Sequence, residues 1–276
     1  MRPSEVARRG ADYLARHGVE SPRAESEALL QRILDTDRAA LFSREEGLST
    51  AEAKAFGRAL CRRCTGVPLQ HLTGEQGFRR IVLRVRESVF VPRPETEVLV
   101  DVGLERTTNV EPLVVDVCTG SGAVALAIAN ERPGARVYGT DTSPEAIVLA
   151  MENAERLSAP VRFLQGDLLE PVPPEHRGGL DLIVANPPYL SVAGRADLPT
   201  EVRADPDLAL FGDATIYERL FTQAMRWLRS TGVIAVEIEE SLGGELSGLA
   251  RSLGLEDVRV HQDLTGRDRV VSGRRL

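Results

Sequence analysis

The sequence predicts an α/β fold: a Rossmann-like, doubly wound and mostly parallel sheet with helices on both faces, preceded by a small helical-bundle domain. Three observations carry this. From Leu113 onward, short β-rich runs alternate with helical stretches, the pattern of a parallel sheet covered on both sides. From Ser4 to about Thr73 the apolar spacing is helical throughout. A chain of 276 residues, 42% of them apolar, is long for one compact core and comfortable for two.

The helical part opens with Val6, Ala11, Tyr13, Leu14 and His17 on an amphipathic stretch that stops at Gly18. Ser21-Pro22 reads as an N-cap with proline at the first helical position, and Ala24, Ala28, Leu29, Leu30 and Ile33 continue that helix. A short helix is expected over Asp35 to Phe42. Ser49-Thr50 with Glu52 caps a fourth, running through Phe56, Leu60 and Cys61 until Gly66-Val67-Pro68 breaks it. Between Gly74 and Arg93 the period changes to two: Phe78, Ile81, Leu83, Val85 and Val89-Phe90-Val91 alternate with polar residues, as in a β-hairpin. Pro92 and Pro94 then stiffen the entry into a helix from Glu95 to about Leu104. The predicted division is 1–73 helical, 74–91 hairpin linker and 92–276 sheet domain.

Strands are expected at Leu113–Val117, Arg136–Thr140, Val161–Leu164, Leu180–Ala185, Gly232–Ile238, Leu255–Val260 and Arg269–Val271. Helices are expected around Ala123–Ala129, Pro144–Leu157, Ile216–Trp227 and Leu242–Leu253. The last two strands follow each other without a helix, which predicts an antiparallel insertion at the sheet edge.

Composition narrows the function. A net charge of −7, with Lys54 as the only lysine, argues against a broad grip on nucleic acid, so no direct nucleic-acid partner is expected. No run approaches the roughly 20 apolar residues of a membrane span, and the N-terminus has no apolar leader core. A cytoplasmic protein without a membrane partner is expected. Cys61-x-x-Cys64 lacks a second ligand pair, with only His71 nearby, and it ends a helix rather than a strand. Reduced thiols, and no metal, are the expectation.

Two motifs carry chemistry. The first is Val115-Asp116-Val117-Cys118-Thr119-Gly120-Ser121-Gly122, a strand end leading into a helix, where glycines let backbone approach a ligand closely. Asp141 ends the next strand, nineteen residues after Gly122, where a carboxylate can accept both hydroxyls of a ribose. With Ala125 this also satisfies the dinucleotide fingerprint, so alone it says only that the cofactor contains adenosine. Gly166-Asp167 closes the third strand, where Asp167 could accept from an adenine amino group.

The second motif is Asn186-Pro187-Pro188-Tyr189, directly after the apolar strand Leu182-Ile183-Val184-Ala185. In a doubly wound sheet that strand lies beside the first one, where the winding reverses and ligands bind. The Asn186 side-chain oxygen and a nearby backbone carbonyl can accept both N–H bonds of an acceptor NH2. Proline offers a carbonyl without an N–H, and Tyr189 offers a flat ring for stacking. Holding both hydrogens lets electron density build on a nitrogen whose lone pair is otherwise delocalised. No metal or covalent nucleophile is needed for transfer of an activated methyl group.

Together these residues resemble the class I methyltransferases that modify amide or exocyclic amine nitrogens. More narrowly, the chain is similar to the PrmC/HemK family of protein-(glutamine-N5) methyltransferases, which act on the Gly-Gly-Gln motif of peptide chain release factors. The resemblance includes the N-terminal helical part, Pro68-Leu69-Gln70-His71-Leu72-Thr73-Gly74, Pro92-Arg93-Pro94-Glu95-Thr96-Glu97, Asp116 through Gly122, the tetrapeptide, and Asp263-Leu264-Thr265-Gly266-Arg267-Asp268-Arg269-Val270. It implies S-adenosylmethionine as cofactor, S-adenosylhomocysteine as product and a release factor as partner. By this resemblance Cys118, Thr119, Gly120, Ser121, Gly122, Asp141, Asp167, Leu168 and Asn186 would hold the cofactor. Asn186, Pro187, Pro188 and Tyr189 would form the catalytic cradle. Arg93 to Glu97 would help close the pocket, with Arg93 and Glu95 joining the tetrapeptide in binding the substrate, and the helical domain would recognise the protein. Leu168 stands where some members carry an aromatic, and Glu237-Ile238-Glu239-Glu240-Ser241 where a Gly and a Gln are often seen. The alternatives are the same chemistry on another protein glutamine, or amino-methylation of a nucleic-acid base.

Overall fold

The computed structural model describes residues 1–188, 202–212 and 215–276. The chain forms two compact units. One comprises Met1–Glu75 with the turn Val202–Ala204, and the other runs from Gln76 and resumes over Asp205–Leu276.

The first unit is built from α1 (Pro3–Arg16), α2 (Pro22–Leu34), α3 (Arg38–Ser43), α4 (Thr50–Cys64) and α5 (Leu69–Thr73). Leu14, Leu29, Leu30, Leu41 and Phe56 make its core. Gly10 permits the closest approach: a Cβ there would lie 2.4 Å from Ser26 Oγ and 2.6 Å from the Phe56 ring. Ser49 forms the expected capping box with Glu52. Ser21 occupies the N-cap position of α2 but makes no side-chain cap bond, because its backbone (φ −114°, ψ 55°) is not the extended one a cap uses. The third helix starts at Arg38 rather than Asp35. Asp35 is left-handed at the end of α2, and Asp37 takes the N-cap by accepting from the Ala40 N–H. Cys61 and Cys64 lie on the last turn of α4 as free thiols.

In the second unit, β1 (Glu75–Phe78) and β2 (Ile81–Arg84) form a two-stranded sheet. The turn Pro94–Thr96 leads into α6 (Glu97–Arg106). There follow β3 (Leu113–Val117), α7 (Ala123–Glu131), β4 (Arg136–Asp141), α8 (Pro144–Leu157), β5 (Val161–Gln165) and β6 (Leu180–Ala185). After α9 (Asp207–Leu210) come α10 (Thr215–Trp227), β7 (Leu228–Glu237), α11 (Gly243–Ser252), β8 (Glu256–Gln262) and β9 (Asp268–Arg274). The sheet order is β5-β4-β3-β6-β7-β9-β8. Pairing is parallel from β5 to β7, while β9 is antiparallel to both β7 and β8, the predicted edge insertion. β7 begins at Leu228, directly off α10 and four residues earlier than its apolar run suggests.

Strand alternation sorts the core into two layers. Leu113, Val115 and Val117 of β3, Ile183 and Ala185 of β6, and Ile234 and Val236 of β7 pack against α10 and α11. Val114, Leu182, Val184, Val233 and Ala235 face the other way, toward α6, α7 and the hairpin residues Phe78, Ile81 and Leu83. Each fully buried Leu, Ile or Val contributes roughly 1.5–3 kcal/mol by leaving water. No helix among the described residues is long and apolar enough to cross a membrane.

Candidate active site

The winding reverses between β3 and β6, which are paired so that Val117 lies beside Ala185. The loop beginning at Cys118 and the tetrapeptide beginning at Asn186 therefore leave the sheet at the same level, on neighbouring strands. That adjacency follows from register alone.

On the β3 side, a web of backbone hydrogen bonds fixes the loop. Thr119 N–H donates to the Thr140 carbonyl (2.9 Å) and Gly122 N–H to the Thr119 carbonyl (2.9 Å). Gly120 N–H donates to Asp141 Oδ2 (2.9 Å), and Ser143 N–H to Asp141 Oδ1 (2.9 Å). Beneath the loop, the buried Asp116 carboxylate accepts from the Thr119 hydroxyl (2.6 Å) and the Ala125 N–H (3.0 Å). Burial pushes the Asp116 carboxyl up to about 7, against the lowering effect of those two donors. Burial also raises Asp141, although backbone N–H groups oppose it. The Cys118 thiol is raised too, first by burial and then by the nearby carboxylates, so it is held as a thiol.

The glycines of this loop have different tasks. Gly120 (φ 54°) faces open space, with nothing within 4 Å of where a Cβ would project. Gly122 (φ 83°) is packed, and a Cβ there would meet Phe163 at 3.0 Å, Leu126 at 3.1 Å and Ala150 at 3.2 Å. Cys118 also takes a left-handed backbone, at φ 59°.

At the end of β5, Asp167 is ion-paired to Arg219 of α10. Leu168 is buried with φ 47°, and its carbonyl accepts from the Thr140 hydroxyl at 2.7 Å.

On the β6 side, Asn186 is half-buried and its Nδ2 donates to the Thr96 hydroxyl at 3.3 Å. Pro187 is buried and Pro188 half-buried. Gly212 packs so closely that a Cβ on it would sit 2.1 Å from the Pro188 carbonyl oxygen. Tyr189, the last residue of the motif, lies outside the described residues.

Arg93 stacks over the Phe90 ring at 5.3 Å and is ion-paired to Asp205, which also accepts the Val91 N–H at 3.2 Å. Glu95 is exposed on the turn before α6. Sequence reasoning did not single out Thr96 as a site residue, nor Glu237 at the end of β7. Glu237 is 3% exposed and is pushed by burial up to about 7. A carboxylate closing the apolar run Val233-Ile234-Ala235-Val236 was the available signal. Among the described residues, no three His, Cys, Asp or Glu side chains cluster as metal ligands do.

Comparison with known proteins places this geometry. Residues 5–74 match the PrmC N-terminal domain and residues 95–201 the methyltransferase small domain. A release factor glutamine methyltransferase from Moorella thermoacetica is 44% identical over 265 residues, covering 93% of this chain and 92% of that protein. One from Deinococcus radiodurans is 41% identical over 268 residues, covering 95% and 94%. Among solved structures, the T. thermophilus 16S rRNA N2 G1207 methyltransferase in complex with AdoMet and guanosine has a TM-score of 0.57 at 19% identity. It covers 73% of this chain and 50% of that one, a likeness of fold. With both end-to-end relatives carrying the same activity in their names, the chain belongs to the release factor glutamine methyltransferase family.

Proposed function

We infer that this protein transfers a methyl group from S-adenosylmethionine to the side-chain amide nitrogen N5 of the glutamine in the Gly-Gly-Gln motif of a peptide chain release factor. The observation that carries the reading is the level meeting of two strand ends, the glycine loop after β3 and Asn186 after β6. The end-to-end likeness to release factor glutamine methyltransferases supports the substrate, because it includes the helical unit as well as the sheet.

The residues present fit an adenosine-type cofactor. The open side of Gly120 leaves room for a ligand, and the neighbouring Asp141 is a partly buried carboxylate suited to two ribose hydroxyls. Asp167 would accept from the adenine amino group, beside the buried Leu168. Cys118, Thr119, Ser121 and Gly122 would line the approach through their backbone. When bound, S-adenosylmethionine supplies a methyl group on a positively charged sulfur, and the protein's task is positioning.

Asn186 Oδ1 and a proline carbonyl of the tetrapeptide would accept the two N–H bonds of the glutamine amide. Tyr189 would stack on the amide plane. As the new N–C bond forms and the methyl group's bond to sulfur breaks, the nitrogen would give up one proton to solvent, leaving a neutral secondary amide and S-adenosylhomocysteine. Held between two acceptors, both N–H bonds are polarised in the direction that this loss requires. Arg93, locked on Asp205, would contribute as a fixed wall, and Glu95 from the rim. The helical unit would recognise the body of the release factor.

The test is incubation of the full-length chain with a purified release factor and S-adenosylmethionine, followed by tandem mass spectrometry. A one-methylene mass gain on the Gly-Gly-Gln glutamine is expected. Methylation only of another protein, or of a nucleic acid included in a parallel reaction, would overturn the substrate.

A further inference from the structure

We propose that Asn153 is a positioning residue that holds the peptide between Ser121 and Gly122, so that the loop after β3 is set in its binding geometry before the cofactor arrives. The proposal deepens the function above and rests on it for the identity of that cofactor.

α8 lays one face against this loop. Ala150 and Asn153 are three residues apart and share that face. A Cβ on Gly122 would lie 3.2 Å from the Ala150 Cβ, so helix and loop are in contact there. Ala146, Ile147, Leu149 and Ala154, the other buried residues of α8, are apolar. Asn153 is the polar exception, and it is fully buried.

Three bonds fix its carboxamide. Oδ1 accepts from the Arg84 N–H at 2.8 Å, while Nδ2 donates to the Arg84 carbonyl at 3.1 Å and to the Ser121 carbonyl at 3.0 Å. The first two treat the last residue of β2 as a neighbouring strand would. The third reaches the glycine loop. A backbone N–H only donates and a carbonyl only accepts, so these partners decide which end of the amide is oxygen and which is nitrogen. Both Nδ2 protons are used.

The loop needs this hold. Ser121 stands between Gly120 (φ 54°) and Gly122 (φ 83°), and glycine lets the adjoining peptides turn at little cost. The Ser121 carbonyl and the Gly122 N–H belong to one planar peptide and point to opposite sides of it. The Gly122 N–H donates to the Thr119 carbonyl at 2.9 Å, and the Ser121 carbonyl accepts from Asn153. That plane is therefore held at both edges. Helix propensity gives no reason for asparagine here, since it is a poor residue for a helix interior, and a buried amide costs free energy unless its bonds are made. All three bonds reach outside α8.

Two variants of the full chain test this. Asn153→Ala leaves the Ser121 carbonyl without its donor. It is expected to weaken S-adenosylhomocysteine binding about tenfold or more by calorimetry and to raise KM for S-adenosylmethionine in step, with kcat at saturating cofactor within about threefold. Arg79→Ala is the control for the hairpin. It removes the ion pairs with Glu131 and Asp101 that hold the turn between β1 and β2, so it should lower Tm and leave S-adenosylhomocysteine affinity within about threefold. Unchanged affinity in Asn153→Ala, or an equal loss in Arg79→Ala, would overturn the proposal. A measurement on the wild-type chain decides the matter if Asn153→Ala does not fold. The sequence has four asparagines, and 15N labelling with single substitution of the other three identifies the Asn153 side-chain amide by elimination. Its hydrogen exchange should be slow in the free protein and change less than about threefold on adding S-adenosylhomocysteine. Fast exchange in the free protein, slowed by the ligand, would mean that the ligand orders the loop and would overturn the proposal. No binding of S-adenosylhomocysteine by the wild-type chain would instead sink the cofactor reading, and the proposal with it.

Discussion

The two strand ends that meet at the reversal point are built by different means. The loop after β3 is held by backbone: the N–H groups of Thr119, Gly120, Gly122 and Ala125 are tied to Thr140, Asp141, Thr119 and Asp116. The turn after β6 is held by side chains and close packing: Asn186 on Thr96, and the Pro188 carbonyl against Gly212. Each has a buried carboxyl group of the same layer nearby, Asp116 under the first and Glu237 on the strand next to the second. Asp116 has two donors in place, whereas one oxygen of Glu237 has no partner among the described residues. A backbone-held loop suits a ligand that is the same in every turnover. A side-chain-held turn can be oriented by single groups, and single substitutions can therefore separate the proposed acceptor cradle from the proposed cofactor half.

That separation can be broken in graded ways. Asn186→Ala removes the proposed acceptor of the substrate N–H and should lower kcat about a hundredfold or more, with S-adenosylhomocysteine affinity within about threefold of wild type by calorimetry. Gly212→Ala comes next. Its methyl group must displace a backbone carbonyl, so turnover should fall at least roughly tenfold while the cofactor half is spared. Gly120→Ala should show the converse. A left-handed alanine costs about 1–2 kcal/mol, and its Cβ enters the open space proposed for the cofactor. Weaker S-adenosylhomocysteine binding, on the order of tenfold, with kcat at saturating cofactor largely kept, is the outcome expected from kinetics.

The smallest effect concerns pH. Burial raises Glu237 from 4.5, and Asp116 from 3.8, to about 7 in each case. A carboxyl whose pKa is higher in the folded state than in the unfolded chain holds its proton longer when folded. Its contribution to stability is therefore greatest below the unfolded value and is lost as pH rises through about 7, at roughly 1.4 kcal/mol per unit of difference. Urea unfolding of wild type and Glu237→Gln between pH 5 and 8 should show the variant falling less steeply. Parallel curves would mean that Glu237 does not titrate in that window.

Much of this was legible in the sequence, for physical reasons that differ by element. Leu113–Val117, Leu180–Ala185 and Pro144–Leu157 coincide with the predicted elements, because apolar runs interrupted by a single aspartate and a Ser-Pro helix start are local signals. Where the signal was not local, the reading slipped. The third helix begins late, since the left-handed turn at Asp35 leaves the capping to Asp37. The glycine loop and the tetrapeptide announced themselves by residue type, and their neighbourhood follows from doubly wound topology. Arg93 was visible as part of a proline-rich motif, but its partner Asp205 lies 112 residues away, and no spacing rule reaches that far. Thr96 was covered only as part of the Arg93 to Glu97 segment, with no role of its own, and Glu237 stood out only as a neighbour of unusual residues. The adjacency of Glu237 to Asn186 depends on the pairing of β6 with β7, which composition does not encode.

The most direct test of the two-sided account is a paired measurement on one preparation of Asn186→Ala: S-adenosylhomocysteine affinity by calorimetry, and methyl transfer to the release factor in a single turnover. Near-wild-type affinity with transfer slowed about a hundredfold is the predicted result. Unimpaired transfer, or loss of cofactor binding in step with transfer, would contradict the division of the pocket into a backbone-held cofactor half and a side-chain-held acceptor half.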